Sequence, residues 1–343
     1  MKAIVKTSAD PGVFEVREVP VPTVGDGQVL VQVKATGLCY TDMSILNGKY
    51  KGRKPVPIPV ILGHEGSGIV AEVGKGAEFV APGQRVAMEA LSGCGICQSC
   101  RVGDKNMCAD WDHIGITYDG TFAEYVLLPA RLVHPLPDSV SFADAALMEP
   151  LSLTVRSIDH VKPRIGETAV IIGPGSVGLL HLQALIASGC AKIIIIGLDI
   201  DKHRFDRAKI LGATHVVNAS VEDPVEAVSE ITKGRGADIL IETASSPKVW
   251  DYMLDLVAPR GRVSFFGLSP ESNFQPLTVI RNGITLYGDV AFLEKHFIQG
   301  LRWLESGKVS GEALVTKRYA LDDAPRAFDD FNAKETVKCL FEI

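Results

Sequence analysis

The stretch AVIIGPGSVG, residues 169–178, is an apolar run broken by Gly173, Gly175 and Gly178 in a G-x-G-x-x-G spacing. A buried strand running through a tight turn into a helix has this form. The first glycine makes the turn, the second lets a pyrophosphate approach the backbone, and the third packs strand against helix. Ser176 and Val177 open the helix, whose free N–H groups suit phosphate oxygens. The next apolar run, KIIIIG, leads to Asp199, 21 residues after Gly178. A carboxylate there accepts hydrogen bonds from ribose hydroxyls and repels a 2′-phosphate, which favours NAD over NADP. Arg204 is the opposing feature, because a guanidinium can meet a phosphate.

Working outward, the runs AVIIG, KIIIIG, DILIE and GRVSFFG alternate with VGLLHLQALIAS, DKHRFDRAKILG, PVEAVSEITK and PKVWDYMLDLVA, which read as helices. Strands buried on both faces and separated by helices predict a parallel α/β sheet. Upstream of residue 152 the pattern differs. VFEVREV and QVLVQVKA alternate apolar and polar, and GTFAEYVLLP follows the turn pair Asp119-Gly120, so the first part is β-rich. The tail holds two helical patterns and the strand-like VKCLFEI, which predicts a return to the first part. The expected domains are 1–151, 152–288 and the returning segment 289–343.

The chain has 343 residues, too many for one comfortable core, and a net charge of −6. That acidic balance, without a basic run, argues against nucleic acid and anionic membranes as partners. The N-terminus lacks an apolar signal core, which predicts a cytoplasmic protein. Thr168–Ala191 carries no formal charge over 24 residues, but its glycines and proline read as a strand, turn and helix, not a membrane span.

Seven cysteines are present, four of them in CGICQSCRVGDKNMC, residues 94–108. The spacing C-x2-C-x2-C-x7-C suits one ion wrapped by Cys94, Cys97, Cys100 and Cys108 in a lobe spanning about residues 90–110. Four thiolates with no open position describe a structural zinc site. An iron–sulfur cluster is the first rival, but Ala109 follows Cys108 where ferredoxin-type spacing ends in proline. A redox C-x-x-C is the second, and it needs only two of the four. Three further stretches carry ligand chemistry: Cys39 in GLCYTD, His64-Glu65 in GHEGSG, and Glu149 in LMEPLS. Singly, each has a bland reading as a buried thiol, a core histidine or the end of a segment. Thiolate, imidazole and carboxylate together suit a zinc ion with a free position, although the spacing alone does not bring them together.

GHEGSG followed by Gly74 and Ala77 resembles the zinc signature of the medium-chain zinc-dependent alcohol and polyol dehydrogenases. Cys39-x-Thr41-Asp42, the four-cysteine lobe and GPGSVG match the same family in order across essentially the whole chain. The resemblance implies a GroES-like β-barrel catalytic domain, a Rossmann-type cofactor domain and a cleft between them. It implies two zinc ions per chain and NAD. Cys39, His64 and Glu149 would ligate the catalytic zinc, Glu65 would be a mobile carboxylate that also reaches it, and Thr41 would take the substrate proton.

The glutamate in E-P-L-S is similar to the sorbitol and polyol branch. L-Threonine dehydrogenase relatives, the competing reading, often carry F-D-P where this chain has Met148-Glu149-Pro150. Two departures stand out. The relay histidine five residues after the ligand cysteine is Ser44 here, and LYGDVAFLE lacks the Arg-Tyr pair of animal sorbitol dehydrogenases. The expected reaction is oxidation of a secondary alcohol or polyol to its ketone by a homotetramer, with a dimer as the alternative. A rival of another class is a non-catalytic protein whose zinc lobe serves as a binding module. Trp111, Tyr118 and Phe292 are pocket candidates that also suit core packing.

Overall fold

The apolar runs after residue 152 become the strands of one parallel sheet. In the computed structural model, which describes residues 1–267, 272–288 and 290–343, they are β1 (Thr168–Ile172), β2 (Lys192–Gly197), β3 (His215–Asn218), β4 (Ala237–Glu242), β5 (Val257–Phe265) and β6 (Thr285–Gly288). Asp289, within the LYGDVAFLE segment, lies outside the described residues. The strand order is β3-β2-β1-β4-β5-β6, and every pairing is parallel. Ala169–Ile172, Ile193–Ile196 and Ile239–Ile241 are buried throughout, as strands covered on both faces must be. Helices α1 (Ser176–Ala187), α2 (Lys202–Ile210) and α3 (Pro224–Thr232) connect the strands. The order reverses between β1 and β4, so a crevice opens outside their carboxyl ends, the usual nucleotide position in doubly wound sheets.

The sequence reading of PKVWDYMLDLVA as a helix is corrected. The segment forms two 3-10 turns, Pro247–Asp251 and Met253–Leu256, broken at Tyr252, whose φ is −134°. Val249, Met253, Leu254 and Leu256 are all buried in the core cluster that covers the sheet. Packing of these four against the sheet overrides the helical period. β5 also begins earlier than GRVSFFG suggested, at Val257, with a register irregularity against β4. Among the described residues no helix is long and apolar enough to cross a membrane. The uncharged run Thr168–Ala191 is divided between β1 and α1.

The chain divides into two compact units, Leu153–Val290 and Met1–Ser152 with Ala291–Ile343. In the second of these, strand Gln28–Gly37 is the hub. It pairs antiparallel with Glu65–Val73, Tyr125–Pro129 and Lys338–Glu342, while Arg85–Met88, Val133–Pro135 and Val315–Tyr319 complete a seven-stranded sheet. Irregularities between Leu30 and Val31 and between Val33 and Ala35 bend the hub so that one strand serves three partners. A core of Val29, Val31, Val33, Val70, Val86, Val126 and Leu128 fills its concave side. The return strand places Leu340 opposite Gly37, at the end of the hub nearest Cys39.

Candidate active site and metal centres

Gln28–Gly37 ends two residues before Cys39, which caps a short helix, Tyr40–Leu46. Asp42, in its first turn, is fully buried. One carboxylate oxygen accepts the Cys39 backbone N–H at 2.9 Å. The other accepts from the Gly63 N–H at 3.2 Å and from His64 Nδ1 at 3.1 Å. Asp42 thereby fixes the His64 tautomer and leaves Nε2 to face outward as a ligand, the carboxylate–histidine arrangement that supports metal sites. Burial lowers the His64 pKa, but the Asp42 and Cys39 charges outweigh it and hold the ring well above the usual histidine range.

Strand Glu65–Val73 starts directly after His64 and delivers Glu65 to the same point. Ligand atoms of Cys39, His64 and Glu65 lie within 4.8 Å of one another. Glu65 is ion-paired with Lys338 on the return strand, and both side chains are buried. Burial alone lowers the Lys338 pKa, yet Glu65 and Cys39 raise it above the ordinary lysine value. Glu149 lies outside the trio, so the structure brings Glu65, not Glu149, to Cys39 and His64. It sits in the first turn of helix Met148–Val161 and is buried. Burial pushes its carboxyl up to about 7, with His64 lowering it and Glu65 raising it, which places it within the electrostatic reach of the trio.

Thr41, half-buried, lies in the first turn of the helix that Cys39 caps, and Ser44 lies on its next turn. His113, from the short strand Asp112–His113, packs its ring edge-on to His64 at 5.4 Å and to Trp111 at 5.9 Å. Its Nδ1 donates to the Ile114 carbonyl at 2.8 Å. Burial drives its pKa down to about 3, and the His64 charge adds to that. Of the aromatic candidates, Trp111 borders this region, Phe292 packs against Phe297 in the core, and Tyr118 packs against the barrel core.

In the lobe, the sulfurs of Cys94, Cys97, Cys100 and Cys108 lie within 4.8 Å of one another, and all are free thiols. Backbone N–H groups point at them, from Cys94 to the Cys108 sulfur and from Cys97 to the Cys94 sulfur, both at 3.4 Å. The N–H groups of Ile96 and Cys97 lower the Cys94 thiol to about 6, and burial raises Cys100 to about 12. Such N–H···S contacts stabilise thiolates, so the donor set fits a closed four-sulfur metal site. Lys105 ties the lobe to the barrel through an ion pair with the fully buried Glu89, which also accepts from His134 at 3.2 Å.

The glycine turn fits a dinucleotide. A Cβ on Gly178 would lie 2.0 Å from the Gly173 carbonyl oxygen, so strand and helix approach as closely as only glycine allows. No side chain caps α1 at Gly175, so the N–H groups at the start of Ser176–Gly178 stay available to an anion. Asp199 accepts from Asn218 Nδ2 at 2.6 Å, and Arg204 is paired with Asp201 at 3.0 Å. Asp42, Lys338 and His113 were missed as site residues. A lysine inside the apolar strand VKCLFEI was the available signal for one of them.

With the two units and their donor sets described, the class is defined. Residues 25–138 match the alcohol dehydrogenase GroES-like domain and residues 176–306 the zinc-binding dehydrogenase domain. The chain belongs to the zinc-dependent medium-chain dehydrogenase family, in its alcohol and polyol branch. It is 35% identical to a sorbitol dehydrogenase of Halalkalibacterium halodurans, over 99% of this chain and 98% of the relative. It is also 35% identical to an L-threonine 3-dehydrogenase of Pyrococcus horikoshii, with the same coverage. Among solved structures it is similar to a zinc-binding dehydrogenase of Sinorhizobium meliloti 1021 bound to NADP, with a TM-score of 0.92, 29% identity, and coverage of 100% of this chain and 99% of the other.

Proposed function

We propose that the chain is an NAD-dependent oxidoreductase that interconverts a secondary alcohol or polyol and its ketone. The observation that carries this reading is the convergence of Cys39, His64 and Glu65, with Asp42 orienting the imidazole. Cys39 and His64 would hold a catalytic zinc with a carboxylate completing the set, and Cys94, Cys97, Cys100 and Cys108 would hold a structural one. When bound, zinc polarises the alcohol oxygen and NAD takes up the hydride.

This chain's residues do the rest. Asp42 keeps the His64 proton on Nδ1. Lys338 holds Glu65 as a paired carboxylate. Thr41 relays the alcohol proton, its hydroxyl accepting that proton as it gives its own to water, and Glu149, buried nearby, is the second carboxylate for the metal. Gly173, Gly175, Ser176, Val177 and Gly178 cradle the pyrophosphate, and Asp199 receives the ribose hydroxyls. Arg204, the candidate cation for a 2′-phosphate, is engaged by Asp201, which favours NAD. A homotetramer, or a dimer, would cover the exposed apolar residues Leu277 and Ile280 beside the edge strand β6.

The test combines metal content with a substrate panel. Elemental analysis of the purified protein should give two zinc ions per chain. Polyols, short diols and threonine should be compared by NADH formation. Oxidation of threonine in preference to every diol and polyol would replace this reading with the threonine dehydrogenase one. Zinc in the lobe alone, with no alcohol oxidised, would leave a binding module.

A further inference from the structure

His113 stands beside the proposed catalytic centre without belonging to its ligand trio. A carbonyl oxygen only accepts, so the 2.8 Å contact with Ile114 requires Nδ1 of His113 to carry the proton. Nε2 of the neutral ring is then an acceptor. It makes no hydrogen bond among the described residues. The ring is fixed from several sides. Its backbone pairs with Leu91, its N–H donates to Thr117 Oγ1 at 2.9 Å, and its ring makes T-shaped contacts with His64 and Trp111. Of the carboxylates around the trio, Asp42 is engaged with His64 and Glu65 with Lys338, and Glu149 is assigned to the metal in the reading above. Nε2 is therefore a pre-oriented acceptor left over at this site.

We infer that His113 Nε2 accepts a hydrogen bond from a second hydroxyl of the substrate, on the carbon next to the one oxidised, and so selects vicinal diols over simple alcohols. This rests on the alcohol dehydrogenase reading above. A rigid acceptor rejects a substrate that leaves it unpaired. A neutral hydroxyl is the donor proposed; an ammonium group could also donate to the imidazole lone pair, and the threonine arm of the test separates the two. His113 is in this role a positioning residue, with no part in moving the proton or hydride.

The test uses zinc-loaded protein with butane-2,3-diol, butan-2-ol and L-threonine. His113→Phe keeps the ring and removes Nε2. It should raise KM for the diol about tenfold, the upper range of a neutral hydrogen bond. The diol kcat and both constants for butan-2-ol should stay within about twofold, a range below the size of one such bond. His113→Gln, which restores an acceptor, should recover part of the diol KM. A second readout needs no turnover. In protein labelled with nitrogen-15 histidine and free of NAD, the His113 Nε2 resonance should move with the diol and stay with butan-2-ol. Equal losses with both alcohols, no loss with either, or a loss confined to threonine would overturn the assignment, as would an unmoved resonance. If no alcohol is oxidised at all, the dehydrogenase reading fails instead, and the resonance shift still decides whether the diol binds at His113.

Discussion

Asp42 accepts from His64 Nδ1 at 3.1 Å while the same carboxylate caps the Cys39 N–H, so one buried side chain aligns two prospective metal ligands drawn from segments 25 residues apart. Asp42→Asn keeps the shape but loses the charge that favours the Nδ1–H tautomer. Metal affinity should fall roughly 10- to 100-fold. Competition with a zinc chelator measures this, and an unchanged circular dichroism spectrum would separate it from misfolding. Wild-type affinity in the variant would show that the pair does not tune the metal.

Glu149 gives a sharper test of the ligand set. If it completes the catalytic site, Glu149→Ala should remove one of two zinc ions and abolish turnover while the lobe keeps its own. Zinc content and NADH formation check this together. Retention of both ions and activity would assign the carboxylate position to Glu65 alone.

Asp199 and Asn218 form one polar edge at the proposed adenosine ribose position. Asp199→Ser removes the charge that repels a 2′-phosphate. Its kcat/KM with NAD should drop roughly 10- to 100-fold, the loss of a charged hydrogen bond, while that with NADP rises. Steady-state kinetics with both nucleotides provides the check. A variant that still favours NAD as strongly as the wild type would remove Asp199 from nucleotide selection.

The lobe is anchored by a buried charge pair, so removing one partner leaves the other exposed to the full cost of burial. Lys105→Met strands Glu89, whose one remaining partner among the described residues is His134. The expected loss is about 3 kcal/mol, at the low end for a buried pair because Lys105 is partly exposed. The double variant with Glu89→Leu should recover much of it. Denaturant midpoints compare the three proteins, and a neutral single variant would contradict the anchoring role.

His181 supplies a pH dependence from the other unit. Its Nδ1 donates to Val177 at 2.8 Å, its Nε2 is buried without a partner, and burial lowers its pKa to about 4. The unfolded chain takes up this proton near the ordinary histidine value of about 6.5 and the folded one only near 4, so stability is lost as pH falls through that window. The full effect is about 3 kcal/mol. His181→Leu should therefore narrow the gap between unfolding midpoints at neutral pH and at pH near 4.5. An identical acid sensitivity in the variant would refute it.

The fold was legible because its signals are local. Unbroken runs such as KIIIIG need only their own composition to read as buried parallel strands, and G-x-G-x-x-G marks its own turn. PKVWDYMLDLVA misled because Tyr252 breaks a period that four buried side chains otherwise satisfy against the sheet. The ligand types at Cys39, His64 and Glu65 could be listed from sequence, but their meeting depends on the hub strand and its partners. The place of Lys338 and His113 at the site was hidden for the same reason, although a lysine in an apolar strand marked the first as unusual: each reaches the site through strand pairing with a distant segment, which spacing does not encode.

That dependence has a consequence for biosynthesis. The Glu65 counter-charge arrives on a strand that pairs with the hub across a gap of roughly 300 residues, the kind of non-local contact that forms late. While residues 338–342 are still inside the ribosome tunnel, the nascent polypeptide exposes one flank of its hub and an unbalanced glutamate. Any message truncated upstream of that codon would yield a chain that cannot close its own pocket, however well the nucleotide unit had already folded.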